Sequence, residues 1–203
     1  MKYKAVVFDY GGVLEQNSGG NPVRLIAELM SVPLEDFKKV YFKYNHLSNA
    51  ENLPWIDMIK FVVSEFDDSE LMWNKVKALI SNFESKSVPN VALLNILPSL
   101  KERGYLTAIF SNYTSELRSI LAEQNILQYF DEVVISGEIG LQKPSKEAFE
   151  AMFSSLGVKP QEIVFIDDTP KSLETAGELG YTPILFKDNE QLFSELTMLG
   201  ILG

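Results

Sequence analysis

Five short apolar runs stand out along the chain: KAVVFDY (4–10), YLTAIFSN (105–112), DEVVIS (131–136), EIVFIDD (162–168) and TPILF (182–186). Each is rich in β-branched or aromatic residues and lacks the strict alternation of a sheet with one wet face. Such runs predict strands covered on both sides. Between the later runs, apolar positions recur at helical spacing over 90–103, 115–124, 145–156 and 171–179. Gly104, Gly157 and Gly180 follow three of these segments, where a left-handed residue ends a helix. Strand and helix therefore alternate from residue 90 onward. This predicts an α/β chain with a Rossmann-like parallel sheet and crossover helices on both faces.

Residues 15–88 break that rhythm. Helical periodicity runs through 22–30, 34–44, 54–66 and 69–83, separated by Pro22, Pro33, Pro54 and the run Asp67, Asp68, Ser69, with no convincing strand. Both tryptophans, Trp55 and Trp73, lie here. The pattern predicts an all-α insertion, 15–88, within a core formed by 1–14 and 89–203.

Composition narrows the chemistry. The 203 residues suffice for one sizeable domain, or a core with a smaller insert. With no cysteine there is no disulfide, thiolate nucleophile or Cys-ligated zinc, and a single histidine, His46, excludes a multi-His metal site. Lysine and arginine total 18 against 28 acids, a net charge of −10, and Arg24, Arg103 and Arg118 are the only arginines. No basic stripe is available to neutralise phosphates, so nucleic acid is not an expected partner. No apolar run approaches the roughly 18 residues of a membrane span. The opening MKYKAVVFDYGGVL is cut by Asp9 and lacks a small-residue cleavage site, so no signal peptide is expected and the cytoplasm is the default location. Carboxylates, lysines, hydroxyls and a hard, oxygen-loving metal remain for difficult chemistry.

Three of the five strands end in such groups: Asp9, then Ser111 with Asn112, then Asp167 with Asp168. In an open parallel sheet, ligands bind outside those ends. Lys143 follows the third strand in the loop GEIGLQKPS. Each has a plainer use. Asp9 suits a strand end before the Gly11-Gly12 turn, and Asp167 with Asp168 suits a helix cap ahead of Thr169 and Pro170. Ser111 and Asn112 suit a cap for which Thr114 competes, and Lys143 suits a solvated loop. His46 reads as a packed or surface histidine, and Lys38 and Lys39 as a solvated helix face. Tyr41, Tyr44, Trp55 and Phe61 either pack the insertion or line a pocket. Convergence of four loops on one sheet edge singles out the strand-end groups.

FDYGGVL, FSNYT, LQKPS and VFIDDTPKSLETAGELG resemble, in that order, the four motifs of the haloacid dehalogenase-like hydrolase superfamily. The likeness covers the whole core, and the insertion falls where that superfamily places its first-position cap. Within the superfamily, the chain is similar to the phosphatase branch with a DxGxV first motif. That branch includes bacterial sugar-1-phosphatases, and the phosphatase domain of soluble epoxide hydrolases is a further relative.

The resemblance implies a Mg²⁺-dependent phosphatase acting on a small phosphorylated metabolite, sugar phosphates among them, through an aspartyl phosphate. It implies that Asp9 is the nucleophile. Asp9, the main-chain carbonyl of Gly11 and Asp168 would hold Mg²⁺, with Asp167 sharing the metal or standing behind it. Ser111 would hydrogen-bond a phosphoryl oxygen with Asn112 beside it, and Lys143 would offset charge between nucleophile and phosphate. One position departs from the pattern: Gly11 stands where most phosphatases of the superfamily carry a second aspartate as general acid and base. That proton transfer typically contributes about 10²–10⁴ in rate. Glu15 or a residue of the insertion is a candidate substitute.

Two other classes share this core. A 2-haloacid dehalogenase needs no metal but requires an arginine from the insertion, where Arg24 is the only one. A non-catalytic phosphate-binding module would keep the pocket without turnover.

Overall fold

The first apolar run forms β1 (Ala5–Phe8), whose four side chains are all buried, as a strand without a polar position requires. The structure, a computed structural model, describes residues 2–203. After β1 come a three-residue strand, β2 (Glu15–Asn17), and four helices, α1 (Pro22–Leu29), α2 (Leu34–Asn49), α3 (Trp55–Ser64) and α4 (Glu70–Glu84). A second short strand, β3 (Ser87–Pro89), leads into α5 (Val91–Leu94), α6 (Leu97–Glu102) and β4 (Leu106–Ser111). The remainder alternates: α7 (Glu116–Glu123), β5 (Glu132–Ile135), α8 (Ser136–Ile139), α9 (Lys146–Leu156), β6 (Ile163–Asp167), α10 (Ala176–Leu179), β7 (Thr182–Leu185) and α11 (Asn189–Met198).

The five long strands make one sheet in the order β5-β4-β1-β6-β7, with every pair parallel. The two-residue period of a strand divides its side chains between two cores. Val6, Phe8, Ile109, Val164 and Ile166 face one side, where Leu93, Leu97, Leu117 and Leu192 of the helices cover them. Ala5, Val7, Ala108, Phe110 and Phe165 face the other, against Phe149, Met152 and Ala176. Phe149 is the hub of that second core, stacked on Tyr181 and edge-on to Phe110 and Phe165. The expected doubly covered Rossmann-like sheet is the observed one.

The insertion departs from expectation at its two ends. β2 and β3 pair antiparallel, with Glu15 opposite Pro89 and Asn17 opposite Ser87. Strands this short are half-buried and carry no periodicity, so the sequence pattern does not reveal them. The ribbon brings the way into the helices beside the way out. Between the two strands, the helices close their own apolar cluster around Ile26, Phe37, Met58, Val62, Val76 and Ile80. Tyr41, Tyr44 and Trp55 pack against it, while the half-exposed Phe61 stacks on Tyr44.

Two helical segments are also less regular than their periodicity suggests. Residues 90–103 divide into α5 and α6 because Pro98 occupies the first turn of α6, where a missing N–H costs nothing. Residues 171–179 start as a 3₁₀ turn at Pro170–Leu173 before α10. α11 was not expected. Asp188 caps it through Gln191 N–H, and Leu192 and Leu196 bury themselves one turn apart. Among the described residues, no helix is long and apolar enough to cross a membrane.

Candidate active site

Register sets the site. β1 and β6 run side by side with Phe8 opposite Ile166, and the Asp9 N–H donates to the Ile166 carbonyl at 2.8 Å. Asp9, just past β1, therefore lies beside Asp167, the last residue of β6, and Asp168. One carboxylate oxygen from each of these three lies within 4.8 Å of the others. Lys143 enters from the loop between α8 and α9. Its Nζ sits 3.0 Å from Asp9 Oδ1 and 2.5 Å from Asp167 Oδ2. The rings of Phe110 and Phe165 flank the ammonium at 5.5 and 5.2 Å. With its side chain 2% exposed, Lys143 is no solvated loop lysine.

Three carboxylates against one ammonium leave two negative charges uncompensated. Burial, and next the charge of Asp9, push the Asp167 carboxyl up despite the ammonium beside it. The Asp168 carboxyl is raised for the same two reasons. Burial alone would lower the pKa of Lys143, but Asp9 and Asp167 outweigh it and hold the ammonium protonated. Asp167 is spoken for on both oxygens, by Lys143 and by the Thr169 N–H at 2.8 Å. Asp9 Oδ1 is not: it is buried and near Lys143, yet no donor is aligned on it. An all-oxygen donor set with excess negative charge fits a hard divalent cation.

The two glycines after Asp9 behave differently. A Cβ on Gly12 would lie 2.2 Å from Asp168 Oδ2, and its φ of +77° already favours glycine. That loop is pressed directly onto Asp168. A Cβ on Gly11 would meet nothing within 4 Å, and its φ lies outside the left-handed region. Glu15 is in β2, where its carboxylate accepts a hydrogen bond from the Ser87 hydroxyl. That ties its side chain to the ribbon.

Ser111 ends β4 and is buried. Asn112, next in the chain, turns its amide onto Lys143: Oδ1 accepts from the Lys143 N–H at 2.8 Å and Nδ2 donates to the Lys143 carbonyl at 3.0 Å. Neither residue caps α7, and no side chain at Thr114 or Ser115 does so either. The Ser115 N–H instead donates to Asn52, in the loop after α2. Asn52 has a φ of +61°, and its Oδ1 occupies the space that a Cβ on Gly137 would need. On α2, Phe42 lies 5.9 Å from Lys171 Nζ, a second meeting of insertion and sheet edge. Arg24 is mostly exposed on α1 and paired with Glu28. His46 is half-exposed, 3.5 Å from Glu51.

Sequence reasoning missed Asn52, Gly12 and Ser136. Ser136 Oγ accepts from the Tyr113 N–H at 3.0 Å and so steadies the loop after Ser111. Asparagine's tolerance of left-handed backbone was the one available signal for Asn52, but its partner lies on another element.

A family model of haloacid dehalogenase-like hydrolases matches residues 7–186. The chain belongs to the haloacid dehalogenase-like hydrolase family. Bifunctional epoxide hydrolase 2 of Rattus norvegicus is 32% identical over 214 residues, covering 97% of this chain. The chain spans 38% of the length of that relative. Among solved structures, a predicted HAD-like family hydrolase from Porphyromonas gingivalis superposes with a TM-score of 0.72 at 22% identity, covering 98% of both chains. A HAD family enzyme from Bacteroides thetaiotaomicron, in complex with magnesium and inorganic phosphate, superposes at 0.65 with 19% identity, covering 94% of this chain and 99% of that one. At these identities the superpositions speak for the shared fold.

Proposed function

We propose that this hydrolase is a Mg²⁺-dependent phosphatase that cleaves a small phosphorylated metabolite, such as a sugar phosphate, through an aspartyl phosphate on Asp9. One observation carries the proposal: three strand-end carboxylates gathered around a single buried ammonium, with two negative charges left over. The magnesium and phosphate of the Bacteroides thetaiotaomicron neighbour support it.

In this reading Asp9, Asp168 and the main-chain carbonyl of Gly11 would hold Mg²⁺, and Asp167 anchors Lys143 behind them. Mg²⁺ held there would supply positive charge to offset that of nucleophile and phosphoryl group. Asp9 attacks phosphorus, the bond to the leaving oxygen breaks with its electron pair, and the aspartyl phosphate forms. The Ser111 hydroxyl donates to a phosphoryl oxygen, and Lys143 spreads its positive charge over nucleophile and phosphate. Water then attacks phosphorus, regenerating the Asp9 carboxylate and releasing phosphate. Gly11 supplies no proton, so leaving groups that depart readily are favoured; sugar 1-phosphates and acyl phosphates are of this kind. Helices α1–α4, within 15–88, act as a cap over a core formed by 1–14 and 89–203.

Release of inorganic phosphate from p-nitrophenyl phosphate and a sugar-phosphate panel, with Mg²⁺ and with chelator, tests this reading. Mg²⁺-dependent release is expected. Chelator-insensitive turnover, or halide release from 2-haloacids, overturns it. Phosphate binding without turnover of any substrate would leave a binding module. Arg24, committed to Glu28, gives the dehalogenase reading no support.

A further inference from the structure

We propose that Asn112 is a positioning residue: it acts through Lys143, fixing that residue's main chain so that the ammonium sits between Asp9 and Asp167. The kinetic part of this proposal rests on the phosphatase reading; the structural part does not.

Lys143 lies in the loop between α8 and α9, so no regular structure holds its peptide groups in place. Both of its main-chain polar groups are instead satisfied by one side chain, the Asn112 amide, at 2.8 and 3.0 Å. Only an amide offers an acceptor and a donor side by side at this reach; a carboxylate lacks the donor, and a hydroxyl is too short to span both atoms. Asn112 directly follows Ser111, the last residue of β4, and β4 pairs with β1. The amide therefore registers Lys143 to the sheet that carries Asp9 rather than to its own loop.

This matters because a lysine ammonium stands at the end of a long flexible stem, and a small rotation of the peptide at its base moves it by ångströms. The groups it bridges are buried and close, so a misplacement of about 1 Å is enough to cost on the order of 10² in rate. The Asn112 oxygen and one of its N–H bonds face Lys143. Its orientation is thus set by the loop, and its effect reaches phosphate through the ammonium.

The test is a double-mutant cycle with p-nitrophenyl phosphate and Mg²⁺. Asn112→Ala is expected to lower kcat by about 10–100-fold with KM changed less than about 3-fold. In a Lys143→Ala background the same change should cost less than about 2-fold more, because nothing is left to position. Losses that multiply, with KM and the inhibition constant of phosphate rising in both backgrounds, would show direct contact with substrate and overturn the proposal.

A second arm needs no turnover. Lysines are acetylated with acetic anhydride and quantified by mass spectrometry, with cooperative thermal unfolding confirmed for each variant. Lys143 should be protected in the parent and about tenfold more reactive in Asn112→Ala, with exposed lysines such as Lys39 unchanged. Unchanged protection overturns the proposal. If Asn112→Ala does not fold, Asn112→Gln, whose extra methylene displaces the amide from the Lys143 main chain, takes its place. Should the parent show no phosphatase activity, the function reading fails while the labelling arm still decides this one.

Discussion

Asn52 and Ser115, 63 residues apart in the chain, are joined through both ends of one amide: Nδ2 donates to the Ser115 hydroxyl at 2.9 Å, and Oδ1 accepts from the Ser115 N–H at 2.7 Å. A loop of the inserted helices thereby caps a helix of the sheet domain, a few residues past Ser111.

Removing that amide should loosen the join between these two loops. Two hydrogen bonds contribute about 1–3 kcal/mol together. Asn52→Gly keeps the left-handed backbone and loses only the side chain, whereas Asn52→Ala adds strain at φ +61°. Asn52→Gly is expected to lower kcat/KM by about 5–50-fold and to raise hydrogen exchange at the Ser115 N–H about tenfold, with Tm falling only a few degrees. Unaltered exchange and turnover would mean that the contact holds nothing together.

Asp9→Asn should abolish turnover without unfolding the protein. An amide is a poor nucleophile, and removing one charge from an overcharged cluster relieves repulsion with Asp167 and Asp168. Mg²⁺ at about 100 times its Kd should stabilise the parent by about 2.7 kcal/mol, a rise in Tm of roughly 5–10 °C. The variant should lose most of that shift. A full Mg²⁺ shift in Asp9→Asn would place the ion elsewhere.

The neighbouring glycines should respond in opposite ways. Gly12→Ala drives a Cβ into Asp168 and should weaken both the Mg²⁺-induced thermal shift and activity by about tenfold or more. Gly11→Asp enters open space and should fold with a Tm within a few degrees of the parent. With the parent, a burst of p-nitrophenol and a steep fall of rate with rising leaving-group pKa are expected, because no acid stands at Gly11. Gly11→Asp should flatten that dependence. A parent with no burst and equal rates for good and poor leaving groups would point to another proton donor.

Asp131 supplies a test of the fold that leaves the site alone. Its carboxylate accepts from the Thr107 N–H and hydroxyl and pairs with Lys101 at 2.9 Å. Burial raises its pKa, but these partners outweigh that and hold it below the usual carboxylate value. A depressed folded pKa contributes stability above the unfolded value, near 3.9, and loses it as pH falls through the folded one. Asp131→Ala should cost about 1–3 kcal/mol at pH 7, and the gap should close toward pH 3. A pH-independent gap would assign the loss to packing.

The sheet, both of its cores and the strand-end acids were legible because each is a local property of the chain: an apolar run, a glycine stop, a carboxylate just past a strand. Lys143 was ambiguous from its own residues, since a lysine before a proline is usually solvated; burial came from Asp167 and two phenylalanine rings on other elements. β2 and β3 were invisible because three residues carry no period. Asn112 was legible as a polar residue at a strand end, but not its target, which is a main chain 31 positions away. α11 carries a cap at Asp188 and apolar positions at Leu192 and Leu196, but no strand follows it to mark it as a crossover helix.

The place of β1 in the sheet also bears on how the chain is made. Ala5 must meet both Leu106 and Ile163, so the strand that leads into Asp9 is made well before either of its partners. Its two edges stay unpaired while the whole helical insertion is synthesised and closes on its own apolar cluster. One edge is covered when β4 emerges, and the other only after β6. Such long-range parallel pairing folds slowly and exposes strand edges on the way. The nascent chain therefore passes through a stage in which the edges of the strand leading into Asp9 are open to aggregation.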